Sequence, residues 1–249
     1  MKEKRIENWK GCVRIGKSKE SGVLSFFSLY DLVQKVLDLI FPPTCVICGK
    51  IEPKWICNKC SYLLRKETEA ECGGVEFVDC QENFSELLYL FSYKGVIRDL
   101  ILKFKFQSCP YISKIFVNFL LKNEKIFQKI KKYDTIIPVP ISKERKLERG
   151  YNQSLVFARE LCKYLENVEI VDNCLYKTKN TVPQSTLSKQ EREENIKNAY
   201  ELKNKQIIRN KKILLIDDIY TTGNTVNECA KILKDGNPKN IGVLTIAKD

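Results

Sequence analysis

At 249 residues the chain is long enough for one large domain or two small ones, and with 43% apolar and 30% charged residues its composition is that of a globular protein, neither disordered nor fibrous. The formal net charge is +12, from 43 Lys and Arg against 31 Asp and Glu, which favours anionic partners such as nucleic acid or phosphorylated metabolites, although a Lys-rich surface needs no partner. There is no histidine, so any acid–base chemistry falls to Asp, Glu, Lys, Tyr, Cys or a metal-bound water.

Residues 1–23 are basic and aperiodic and are expected to form a loose tail without a secretory pattern. From 24 to 40, Leu29, Leu32, Val33, Val36, Leu37 and Ile40 fall at helical spacing, and Phe41-Pro42-Pro43 stops the helix. Asp31, Lys35 and Asp38 interrupt this apolar stretch, so it is not a membrane span. With no secretory pattern and no membrane span, a reducing, cytoplasmic setting is expected for the 11 cysteines, and there clustered Cys mean metal before disulfide. Cys45-x-x-Cys48 and Cys57-x-x-Cys60 offer four thiolates, a set that suits structural Zn²⁺. Cys72 and Cys80 are the alternatives for one pair, and a redox C-x-x-C or plain core cysteines are the competing readings. Residues 24–83 are therefore expected to be an N-terminal helix plus a small four-cysteine module.

Residues 84–249 are expected to form the second domain. Leu87 to Tyr93 has the character of a strand, Lys94-Gly95 of a turn, and Val96 to Phe106 of a helix. Lys103-Phe104-Lys105-Phe106 interleaves cations with rings, which suits single-stranded nucleic acid, or simply an element with Phe inward and Lys outward. A single Lys-rich helix is expected over 111–131. Beyond 133 strands and helices alternate. Residues 135–139, 168–171, 212–216 and 241–247 are strand-like runs. A helix over 153–165 would show Leu155, Ala158, Cys162 and Leu165 on one face. A second would show Val226, Cys229, Ala230 and Leu233 and end at Gly236-Asn237-Pro238. Such alternation predicts a mainly parallel α/β sheet.

The most informative stretch is 213–226. An apolar run, Ile213 to Ile216, leads into Asp217 and Asp218, then Thr221-Thr222-Gly223-Asn224-Thr225, then a helix. A helix start offers unpaired backbone N–H groups and partial positive charge, and a glycine turn lets that backbone approach a phosphate. The threonines add hydroxyl donors, and carboxylates at a strand's carboxyl end can accept hydrogen bonds from vicinal ribose hydroxyls. Ordinary helix capping is the plainer alternative.

This loop resembles the 5-phosphoribosyl 1-pyrophosphate (PRPP) motif of type I phosphoribosyltransferases. More of the chain resembles the ComF competence family: Phe41-Pro42-Pro43-Thr44-Cys45-Val46-Ile47-Cys48, Tyr93-Lys94-Gly95 with Leu102-Lys103-Phe104-Lys105, Ile137-Pro138-Val139-Pro140 with Arg149-Gly150-Tyr151-Asn152-Gln153, and Pro183-Gln184 with Leu187, Arg192, Asn195 and Ala199-Tyr200. The resemblance implies a type I phosphoribosyltransferase-like fold preceded by a small zinc-binding module with four cysteine ligands. It implies that Asp217 and Asp218 meet the ribose hydroxyls or Mg²⁺, and that the Thr-rich turn holds the 5-phosphate. The 138–142 loop, with Pro140 and Ile141, would face pyrophosphate, and a hood at 181–196 would bring Arg192. Any chemistry would be displacement of pyrophosphate at the anomeric carbon, aided by cations on the leaving group.

Three functions follow. The first is a competence accessory factor in DNA uptake that binds PRPP or ribose 5-phosphate and single-stranded DNA, with Lys103, Lys105 and Arg149 as first DNA contacts and a competence helicase as a partner. The second is a metabolic phosphoribosyltransferase with a nucleobase or amine acceptor. The third is a zinc-stabilised interaction module with a vestigial pocket. The run Lys143 to Glu148 is expected to be solvated surface.

Overall fold

The structure is a computed structural model and describes residues 42, 44–53, 55–70, 73–77, 83–179 and 198–249. The expected tail and first helix, Cys72, Cys80 and the hood segment with Arg192 lie outside the described residues.

The chain divides into two compact units, residues 1–45 with 49–55 and residues 46–48 with 56–249. In the first, Thr44 bridges Ile51 in an antiparallel pair. The Gly49 amide donates to the Cys45 carbonyl at 2.8 Å and the Cys45 amide to the Lys50 carbonyl at 2.7 Å. Gly49 makes this turn at φ +73°, where a side chain would be strained.

The second unit holds α1 (Asn58–Ala70), β1 (Val75–Phe77), β2 (Glu86–Ser92), α2 (Gly95–Phe106), α3 (Ile112–Lys122), α4 (Glu124–Ile130), β3 (Thr135–Pro138), α5 (Lys143–Arg149), α6 (Gln153–Cys162), β4 (Glu169–Ile170), β5 (Leu175–Lys177), β6 (Tyr200–Leu202), β7 (Lys212–Tyr220), α7 (Asn224–Lys234) and β8 (Asn240–Lys248). A six-stranded sheet runs β1-β2-β8-β7-β3-β4, and β5 and β6 form a separate antiparallel pair. Only the edge pair β1–β2 is antiparallel; the other pairings of the six-stranded sheet are parallel.

Alternation along the strands sends side chains to two cores, one on each face. Leu214 and Ile216 of β7 join one apolar cluster with α2, α3, α4 and α6, whereas Ile213 and Leu215 join the other with α7 and the β5–β6 pair. The sheet is thus covered on both faces, as a mostly parallel sheet requires.

Two expectations change. Residues 111–131 are two helices, because Asn123 leaves the helical path and its side chain accepts from the Ile126 amide to cap α4. The buried face of α6 is Phe157, Ala158 and Leu161 with Gln153 and Ser154 at its start; Leu155 and Cys162 are only partly buried. The α7 face is as expected: Val226, Cys229, Ala230 and Leu233 are buried.

Candidate functional site

The chain after β3 crosses to β4 through α6 on one face, and the chain after β7 crosses to β8 through α7 on the other. These crossovers diverge from adjacent strands, so β3 and β7 flank a topological switch point, where ligands bind beyond the strands' carboxyl ends. The 139–142 loop and the Asp217–Thr225 stretch both leave from that edge.

β7 runs further than its apolar residues, through Asp217 and Asp218 to Tyr220, because β8 continues to pair with it as far as Tyr220–Lys248. The carboxylates are therefore held on a ladder, not on a loose turn. Gly223 then adopts φ +76° as the cap of α7, with no side-chain cap bond, which leaves the helix start to its backbone amides. The Thr222 hydroxyl is buried without a partner. Thr221 is exposed, and Asn224 and Thr225 are half-buried in the first turn. A buried unsatisfied donor at a helix start is the chemistry of an anion cradle.

The Arg149-Gly150-Tyr151-Asn152-Gln153 element fastens the second side. Gly150 ends α5 at φ +78°. The Asn152 side-chain oxygen caps α6 by accepting from Ser154 and Leu155 amides, and its Nδ2 donates to the Val139 carbonyl at 2.9 Å. Ser154 Oγ then donates to Asp217 Oδ1 at 3.2 Å. Arg149 donates to Gln153 Oε1 at 3.2 Å and stacks 4.9 Å over the exposed Phe106 ring. The Tyr151 hydroxyl donates to the Phe104 carbonyl. Pro140 and Ile141, half-buried, sit between β3 and α5.

The 103–106 segment is the C-terminal turn of α2. Phe104 is fully buried and Phe106 is 64% exposed, so the rings do not form a continuous stacking row. Lys103 Nζ donates to the Val46 and Ile47 carbonyls at 2.6 and 3.1 Å. Lys105 Nζ lies 3.0 Å from Asp218 Oδ1. Both ammonium groups have partners inside the fold, which the alternating pattern could not reveal because those partners are far away in sequence.

Burial, then the neighbouring Asp218 charge, pushes the Asp217 carboxyl up to about 7. Burial likewise depresses the Arg149 guanidinium, with Asp218 acting against the shift. Lys177, which the sequence reading missed, is brought down to about 8 by burial and by Arg145. No motif marked it, because the β5–β6 pair brings it in.

Cys45, Cys48, Cys57 and Cys60 have sulfurs all within 4.8 Å of one another and form no disulfide. Four thiolates about 2.3 Å from a tetrahedral ion stand roughly 3.8 Å apart, and Cys48 and Cys57 sulfurs are 3.8 Å apart. The set fits a metal ion.

Comparison with known proteins agrees with the geometry. The phosphoribosyl transferase domain family matches residues 151–249. With its sheet, switch-point site and Asp-Asp–Thr-rich loop, this is a phosphoribosyltransferase-fold protein with a cysteine cluster near its N-terminus. Competence protein ComFC of Streptococcus pneumoniae is 31% identical over 202 residues, covering 77% of this chain and 81% of that one. Competence protein F of Haemophilus influenzae is 28% identical over 210 residues, 83% and 85% of the two chains. DNA utilization protein YhgH of Escherichia coli K12 is 26% identical over 194 residues, 76% and 83%. A solved structure of the allosteric regulatory enzyme of purine biosynthesis aligns at a TM-score of 0.33 and 13% identity, over 57% of this chain and 25% of that one. The chain belongs to the ComF family.

No helix among the described residues is long and apolar enough to cross a membrane.

Proposed function

We propose that the chain binds PRPP or a ribose 5-phosphate at the carboxyl edge of β3 and β7 and serves as a cytoplasmic accessory factor for the uptake of transforming DNA. The observation that carries the ligand is the conjunction at β7: two carboxylates on a ladder, followed by a Gly223-capped helix start with a buried, unpartnered Thr222 hydroxyl. Asp217 and Asp218 accept from the ribose hydroxyls, and Thr222 and the α7 amides take the 5-phosphate. Pro140 and Ile141 line the pyrophosphate side. Two hard carboxylate donors fit Mg²⁺, which would neutralise charge on the substrate's phosphates when bound. The competence role is supported by the names of the relatives.

The four cysteines fit structural Zn²⁺, which contributes folding free energy directly. Single-stranded DNA contact moves away from Lys103 and Lys105. The exposed Lys143 and Lys146 of α5 supply phosphate contacts, and Phe106 beside Arg149 offers a ring.

Calorimetric titration with PRPP and with ribose 5-phosphate, each with Mg²⁺, tests the ligand. Binding lost in the Asp217→Ala, Asp218→Ala pair with the fold intact supports the site; equal affinity in that pair removes it. Pyrophosphate release with a panel of nucleobases and amines would instead support the metabolic reading.

A further inference from the structure

Lys103 lies in the last turn of α2, and its ammonium reaches the turn between two of the cysteines. Nζ donates to the Val46 carbonyl at 2.6 Å and to the Ile47 carbonyl at 3.1 Å. Val46 and Ile47 are the two residues between Cys45 and Cys48. Val46 is buried, and Ile47 and Lys103 are half-buried. A partly desolvated ammonium needs countercharge. Both acceptors here are neutral, and among the described residues no Asp or Glu pairs with Lys103.

The cysteine cluster has the opposite imbalance. Four thiolates around one divalent ion leave a dianion, and Cys45, Cys57 and Cys60 are buried while Cys48 is exposed. The backbone offsets part of that charge: α1 begins at Asn58, directly after Cys57, and the Cys60 amide donates to Cys57 Sγ at 3.5 Å. Lys50 and Lys59 are close to the cysteines in sequence but exposed, where water and salt screen them. Lys103 is less exposed and comes from α2, against which α1 packs. A cation on the Val46 and Ile47 oxygens also polarises those two peptide groups, whose N–H ends, on Ile47 and Cys48, point the opposite way in a trans peptide.

We infer that Lys103 is a positioning residue of the metal centre: its fixed charge balances the tetrathiolate from outside the ligand set, and its two hydrogen bonds hold the Cys45–Cys48 turn in shape for the ion. This rests on the metal reading of the four cysteines above. It is independent of the ribose-phosphate site.

The test uses the full chain purified under reducing conditions, loaded with Zn²⁺ or, from cobalt-supplemented medium, with Co²⁺. Competition with a chelator of known affinity measures how tightly Zn²⁺ is held. The sulfur-to-cobalt charge-transfer absorption per bound Co²⁺ reports the thiolate ligands. Lys103→Gln keeps a side-chain donor and loses the charge, and it should hold Zn²⁺ roughly ten- to a hundredfold more weakly, the usual worth of an outer partner of a metal ligand. Its absorption per bound Co²⁺ should match wild type, because all four sulfurs remain. Lys103→Arg, which keeps the charge, should restore most of the affinity. Circular dichroism and melts of the loaded proteins check the fold. If Lys103→Gln is unfolded, Lys103→Met takes its place with the same expectation. Wild-type protein that holds no metal overturns the inference together with the metal reading. Metal held by wild type, and equally tightly by the neutral variant, overturns the inference alone. So does Lys103→Arg as weak as Lys103→Gln, which would show that the charge is not used. Weaker absorption per bound Co²⁺ in Lys103→Gln also overturns it, since the ligand set itself would then have collapsed.

Discussion

Lys105 and Asp218 are joined at 3.0 Å although 113 residues apart in the chain, each side chain less than a fifth exposed. The pair links the last turn of α2 to the carboxylate end of β7, and so brings a residue from outside the Asp-Asp–Thr stretch into the candidate site. Removing one partner strands a poorly solvated charge, whereas removing both does not.

Lys105→Met should therefore lower stability by about 1–3 kcal/mol, and Lys105→Met with Asp218→Asn should recover part of that loss. A double-mutant cycle by urea denaturation measures the coupling. Additive effects would mean that the contact contributes nothing in solution.

PRPP binding should strengthen as pH rises through about 7. Asp217 accepts hydrogen bonds best when ionised, so affinity rises as pH increases through about 7. Asp217→Asn should flatten this dependence, read by titration calorimetry from pH 5.5 to 9.5.

Stability should respond to Asp217 in the opposite sense. Its folded-state value is raised above the unfolded one, so the folded state binds the proton more tightly. Its contribution is most favourable below the unfolded value and is lost as pH rises to about 7. Asp217→Asn should melt at a higher temperature than wild type at pH 8 and near the same temperature at pH 4.5, with ligand binding weakened throughout.

Metal analysis of protein purified under reducing conditions should give one Zn²⁺ per chain. Cys57→Ser with Cys60→Ser should lose it, and chelation should unfold the cysteine turn before the sheet, because thiolate ligation supplies folding free energy. Full metal retention in that double variant would rule out the ligand set.

Asn152→Ala should cost about 1 kcal/mol for the lost cap of α6, and also release Val139 from the α5–α6 corner. Ribose 5-phosphate binding should weaken with it, since Ser154 then no longer holds Asp217 in place. Urea denaturation and calorimetry read the two effects separately.

The sequence by itself determined the parts whose signals are local. Apolar runs with a period of two or none marked β2, β3, β7 and β8. The spacing of Val226, Cys229, Ala230 and Leu233 marked the buried face of α7. The order Asp-Asp, Thr-Thr-Gly-x-Thr marked the candidate ligand loop, because carboxylates, a left-handed glycine and a helix start lie within nine residues. The two C-x-x-C pairs marked the sulfur cluster.

What only the tertiary structure decided is what each cation faces. Lys103 and Lys105 look alike in sequence, yet one ammonium meets backbone carbonyls at Val46 and Ile47 and the other meets Asp218. Lys177 carries no motif, and the β5–β6 pair sets it over the Tyr200 ring. A lysine's role depends on charges and burial contributed by distant elements, and no period along the chain encodes those.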